Sequence, residues 1–194
     1  MESSKTWKSR LDRNFSNMSD HILKYFPTVK DHCPIEKIAA LHLYVYEKVD
    51  YELREDRDFK PPKDCWRTSG NCQEQTVLLA SLFKSIVMVE ARTKSLSHNQ
   101  DREYGHRTLE VKFPYHPKKV TEILEDFYSR TQHFNGSTSK FVCSHNKKAT
   151  HTWIIADPTM SNHMADTSSL EKKGYLNRNN RSWEWYKVKS TAVL

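Results

Sequence analysis

From Gly70 to Phe83 the chain reads Gly-Asn-Cys-Gln-Glu-Gln-Thr-Val-Leu-Leu-Ala-Ser-Leu-Phe, which predicts an apolar helix with Cys72 in its first turn. A helix start presents unpaired backbone N–H groups and a partial positive charge, both of which favour a thiolate over a thiol. The same N–H groups are suited to holding an oxyanion. The competing account is inert packing, because free cysteines are among the most buried residue types.

Downstream lie Gly105-His106-Arg107-Thr108-Leu109-Glu110-Val111-Lys112-Phe113 and Trp153-Ile154-Ile155-Ala156-Asp157-Pro158-Thr159. Acyl transfer by a thiol needs a base to take its proton and a third group to fix the tautomer and orientation of the imidazole. His106 and Asp157 supply one of each. Only four glycines occur in the chain, and Gly70 and Gly105 stand just before Cys72 and His106, where backbone freedom or close approach is useful.

With these residues in order, the sequence resembles the transglutaminase-like superfamily of cysteine enzymes, over about residues 35 to 165. Gly70-Asn71-Cys72 and the Leu78 to Phe83 stretch match its nucleophile motif. His106 with Glu110 matches its histidine motif, and Trp153 with Asp157-Pro158-Thr159 matches its acid motif. The nearest resemblance is to small archaeal or bacterial members. It implies a papain-like core, with the nucleophile at the N-terminus of a helix packed on an antiparallel sheet. Cys72 would be the nucleophile, His106 the base and Asp157 the orienting acid, with no cofactor. Oxyanion donors would be the Cys72 backbone N–H and a side chain, for which Gln73 and Trp66 are candidates.

The chain departs from the family pattern in two places. His106 and Asp157 are 51 positions apart, where the family usually has a short hairpin, so residues 114–150 are read as an insertion. Pro114 and Pro117 break the strand, Val120, Ile123, Leu124, Phe127 and Tyr128 have helical spacing, and a polar stretch follows. The second departure is Thr108, where the family commonly has an aromatic residue, which implies a more open or more polar cleft wall.

His151 is an alternative base. If residues 151–157 form one strand, six steps put the His151 and Asp157 alpha carbons roughly 20 Å apart, beyond hydrogen-bonding reach, which favours His106. Cys143, His145, His151 and His163 lack the spacing of a compact zinc site, and no metal is expected.

A length of 194 residues fits one domain, with an N-terminal helical segment over about residues 1–30 and the insertion at about 114–150. Phe15, Met18, Ile22, Leu23 and Phe26 predict a helix ended by Pro27, and Ile35, Ile38, Leu41 and Val45 a second one. Asp50 to Asp64 reads as a charged surface loop, and Ile86 to Ala91 as a strand followed by a polar loop. The pattern alone supports mixed α+β with a helix against a sheet.

No apolar stretch is long enough to span a bilayer, and the first residues lack the apolar core of a secretory signal. The expected location is cytoplasmic, with reduced thiols. Cys65 and Cys72 are close enough in sequence to bridge under oxidation. The net charge of +7 and the alternation of aromatic and basic residues from Tyr175 to Lys189 fit a nucleic-acid-binding domain, or an acidic protein substrate. Trp183 and Trp185, spaced by two, equally fit a strand with one face on the core. The expected function is cysteine-dependent acyl transfer on protein or peptide amides. The rivals are a catalytically silent transglutaminase-like protein-binding module and a basic nucleic-acid-binding domain.

Overall fold

In a computed structural model of the chain, the helix beginning at Cys72 packs against a four-stranded antiparallel sheet, in a mixed α+β arrangement. The structure describes residues 16–29, 33–53, 58–86, 90–97, 105–131, 151–179, 182–185 and 188–193. The elements in order are α1 (Ser16–Leu23), α2 (Pro34–Lys48), β1 (Asp50–Tyr51), α3 (Pro62–Arg67), β2 (Ser69–Gly70), α4 (Cys72–Ile86), β3 (Glu90–Ser97), β4 (Gly105–Phe113), α5 (Pro117–Arg130), β5 (Thr152–Ala156), α6 (Ser168–Lys172), β6 (Leu176–Asn179), β7 (Ser182–Trp185) and β8 (Val188–Val193).

The sheet order is β5-β4-β3-β8, with β1-β2 a short parallel pair and β6-β7 a separate antiparallel pair. Strand alternation divides β4 between two cores. Leu109, Val111 and Phe113 join Ile154, Ala156 and the apolar sides of α1, α2, α4 and α5 in the main core. The other face carries His106, Thr108 and Glu110. Next to them lies a smaller cluster of Leu96, Ile155, Leu170, Tyr175 and Leu176. The α4 N-terminus meets the Gly105 end of β4, where the Thr76 hydroxyl donates to the Arg107 carbonyl at 3.2 Å and the Cys72 sulfur acts on His106.

The helical periods on α2 and α5 correspond to buried faces. Ile35, Ile38, Leu41 and Val45 are buried on α2, as are Val120, Leu124, Phe127 and Tyr128 on α5. Helix α1 stops at Leu23, ahead of Pro27, because Lys24 and Tyr25 turn back by short bonds to the His21 and Ile22 carbonyls. Phe15 lies outside the described residues, as does the insertion from residue 132 to 150.

Two expectations are corrected. Ile86 ends α4 rather than opening a strand, and the strand begins at Glu90 and runs to Ser97, through residues expected to form a polar loop. Arg92 and Lys94 are held in the strand by the buried Glu110 opposite, and the Arg92 guanidinium lies 3.8 Å above the Trp153 ring centroid. Asp50 to Asp64 is likewise not one surface loop. It contains β1 and the first turn of α3, and the buried Gln75 amide fastens it by donating to the Val49, Asp50 and Gly70 carbonyls. No helix among the described residues is long and apolar enough to cross a membrane.

Candidate active site

Asn71 is the N-cap of α4. Its Oδ1 accepts from the Gln73 and Glu74 N–H groups, both at 3.0 Å, and Glu74 Oε2 accepts in return from the Asn71 N–H at 3.0 Å. This reciprocal box satisfies the polar groups around the helix start. It leaves the Cys72 N–H, at the first helical position, without an acceptor among the described residues. The second Glu74 oxygen accepts from the Lys60 N–H at 2.8 Å, tying the preceding loop to the same carboxylate. Gly70 makes this packing possible, since a Cβ there would stand 2.5 Å from Cys65 Sγ and 3.1 Å from the Glu74 Cβ. Cys65 is buried beneath it and Cys72 is half-buried, neither of them in a disulfide.

His106 and Asp157 are 5 % and 3 % exposed, and Nε2 of the imidazole lies 2.6 Å from Asp157 Oδ2. Their side of the sheet is set by the register: Leu109 pairs with Ala156, so Thr108 and Asp157 are opposite at the next step. The other Asp157 oxygen accepts from the Thr159 N–H at 3.2 Å and the Thr159 hydroxyl at 2.8 Å. Burial pulls the His106 pKa down, but the Asp157 charge and hydrogen bond, with a contribution from the neighbouring Cys72 sulfur, outweigh it and raise the pKa to about 10. Burial acts in the opposite sense on Asp157, and the His106 charge and hydrogen bond hold its pKa below the ordinary value. Because Nε2 faces Asp157, Nδ1 is the nitrogen left for Cys72.

The structure therefore brings Cys72, His106 and Asp157 together. His151 immediately precedes β5, at the opposite end of that strand from Asp157. Trp66 stacks flat on Tyr44, with ring centroids 4.8 Å apart and planes 5° apart, while the Gln73 N–H is taken by the Asn71 cap. Thr108 is fully buried beside Asp157, so it lies behind the acid rather than on an open cleft wall. Cys143 and His145 lie outside the described residues, and His163 packs edge-on against Tyr128.

Sequence reasoning missed several participants. Asn71 and Glu74 are the N-cap and third residue of a capping box, a spacing visible in the sequence. In the sequence Tyr175 belongs to a basic and aromatic stretch with no link to the site. Its ring is buried and lies 5.2 Å from the His106 ring. Tyr51 and Tyr175 both have raised hydroxyl pKa values, first from partial burial and then from electrostatic interaction with the neighbouring Cys72 side chain. No local pattern announces either tyrosine. Strand β7 contains Trp183 and Trp185 and pairs with β6, Trp183 standing opposite Arg178.

His42 on α2 lies behind the acid, fully buried, and neither ring nitrogen has a hydrogen-bond partner among the described residues. Burial lowers its pKa to about 4, against the opposing pull of Asp157. The unfolded chain therefore takes up a proton near pH 6.5 that the folded one refuses until about pH 4, and stability falls as the pH drops between those values. Urea unfolding should show about 2 kcal/mol less stability at pH 4.5 than at pH 7 from this group. His42→Phe should remove that part of the acid sensitivity.

No protein-family model matches the chain, and no curated protein matches it. Among solved structures, it is similar to Legionella pneumophila LapG, with a TM-score of 0.43 at 10% identity, covering 98% of this chain and 91% of the other. The EGTA-treated form of LapG gives the same TM-score and identity, covering 96% and 87%.

Proposed function

We propose that the chain is a cysteine-dependent enzyme that transfers acyl groups from protein or peptide amides, built on a papain-like core of the transglutaminase-like kind. The observation that carries this reading is the half-buried Cys72 thiol at a capped helix start beside the buried His106–Asp157 pair. A histidine that keeps its proton past neutral pH serves as partner to a thiolate and as acid to a leaving amine.

The Cys72 sulfur attacks the carbonyl carbon, forming the S–C bond while the carbonyl electron pair moves to oxygen. The Cys72 N–H donates to that oxyanion. As the intermediate collapses the C–N bond breaks, the amine takes a proton from His106, and a thioester remains. Water or a second amine then attacks, giving up a proton to His106, and the S–C bond breaks to restore the sulfur. Asp157 keeps the ring oriented and stabilises its positive form throughout.

Chloroacetamide labelling at pH 7, followed residue by residue, tests the reading. Cys72 is expected to react at least about tenfold faster than Cys33, Cys65 and Cys143, with Cys72→Ala removing the fast phase. Slow, equal labelling of all four would instead favour the silent binding module. Hydrolysis and transamidation separate when peptide amides are turned over with and without an added primary amine.

A further inference from the structure

Helix α5, which separates His106 from Asp157 in sequence, reaches the back of the acid's loop through one side chain. Tyr128 is fully buried, and its hydroxyl accepts from the Met164 N–H at 2.8 Å. Its ring meets the His163 ring edge-on, with centroids 4.4 Å apart. Residues 163–165 are thus held from α5 on one side. On the other side, the Ala165 N–H donates at 2.8 Å to the carbonyl of Ile155, which lies on β5 two residues before Asp157. Within the loop, the Asp157 carbonyl accepts from the Met160 and Ser161 N–H groups. The Ser161 hydroxyl accepts from the His163 N–H and donates to the Asp166 carboxylate.

Ala165 has a φ of 61°, in the left-handed region that is costly for a residue with a Cβ. Such a conformation persists where its surroundings over-determine it. Here the hydrogen bonds of the Met164 and Ala165 N–H groups do so, and both residues are fully buried. A buried N–H without an acceptor is destabilising, so the Met164 amide ties this segment to Tyr128.

We propose that Tyr128 is a positioning residue for Asp157: by holding residues 163–165 against β5, it fixes the turn that follows the strand and aims the carboxylate at His106. This rests on the reading of His106 and Asp157 as base and acid of a cysteine enzyme. It goes further in giving the inserted helix a part in the site. The imidazole stays oriented only while the Asp157 carboxylate keeps its place 2.6 Å from Nε2. Without the Tyr128 oxygen, the Met164 N–H turns away to find another acceptor. The Ala165–Ile155 bond loosens with it, and the Asp157 turn loses its support from behind.

The test titrates the His106 ring by NMR in the wild type, Tyr128→Phe and Leu124→Ala. Phenylalanine keeps the ring against His163 and removes only the acceptor. The groups facing His106 are Asp157 after β5, Cys72 on α4 and Tyr175 after α6. Those facing Asp157, besides His106, are His42 on α2, Thr108 on β4 and Thr159. Tyr128→Phe changes none of them. It is expected to lower the His106 titration by about one pH unit, and to slow chloroacetamide labelling of Cys72 at pH 7 by about threefold or more, because a less firmly protonated imidazole supports less thiolate. Leu124→Ala opens a cavity on the same buried face of α5, and should lower the melting temperature without moving the titration. An unmoved titration in Tyr128→Phe, or an equal shift in Leu124→Ala, would overturn the proposal. In the unmodified protein, the Met164 amide should exchange with deuterated solvent at least about a hundredfold slower than an amide in an open loop. Free exchange there would count against the proposal even if the Phe variant failed to fold. Slow labelling of Cys72 in the wild type would overturn the enzyme reading instead, with the His106 titration still deciding the role of Tyr128.

Discussion

Asp157→Asn is expected to lower amide turnover by about a hundredfold or more, and to move the basic limb of the pH–rate profile to lower pH. The wild-type limb is expected to follow loss of the His106 proton, at about pH 10. Asparagine can still occupy the space but brings no charge, so the His106 pKa falls towards 6.5 and the protonated ring is lost sooner. A profile unchanged in shape and height would remove Asp157 from the mechanism. The same pair makes a stability prediction whose sign differs at the two ends. His106 has a raised folded pKa, so its contribution is complete below pH 6.5 and disappears as the pH rises through about 10. Asp157 has a lowered one, so its contribution is present above its ordinary value of 3.8 and disappears as the pH falls through its folded value. Urea unfolding at pH 7 and pH 10 should therefore show a loss at the alkaline end that Asp157→Asn largely abolishes.

The second large effect is on folding. Glu74→Ala is expected to destabilise the protein by about 3 kcal/mol, because the Asn71 and Lys60 N–H groups both lose their acceptor in a place where the carboxylate was 1 % exposed. For a chain of this size that corresponds to roughly 10 °C in melting temperature. Glu74→Gln keeps one acceptor oxygen and should recover part of the loss. The Cys72 labelling rate should fall with Glu74→Ala as well, since the box that orients the α4 N-terminus is broken. A melting temperature within a degree or two of wild type would mean that water replaces the carboxylate without penalty.

Much of the helical structure was legible because its signals are local. The 3.6-residue spacing of Ile35, Ile38, Leu41 and Val45, and of Val120, Leu124, Phe127 and Tyr128, marks faces that the structure buries. Strand β3 was hidden because Arg92 and Lys94 look like loop residues until the Glu110 carboxylate is placed opposite them. Strand β1 was hidden for a similar reason: two residues are too few to show a strand pattern, and Asp50 is held by Gln75, 25 residues away in sequence.

Local sequence specifies the kinds of group available: a cysteine behind Gly70 and Asn71 at the head of an apolar helix, a histidine after Gly105, and an aspartate before Pro158. Helix starts, turns and strand alternation are short-range effects, so residue types at fixed spacings express them directly. Which of these groups meet depends on how the elements pack. The antiparallel register of β4 and β5 put His106 and Asp157 on one face 2.6 Å apart across 51 positions of sequence. The packing of α4 brought Cys72 to that edge, and Tyr51, Tyr175 and His42 were drawn around them from three separate elements or loops. Such contacts depend on how surfaces bury one another after the chain has folded back on itself, and nothing in the spacing of neighbouring residues encodes them.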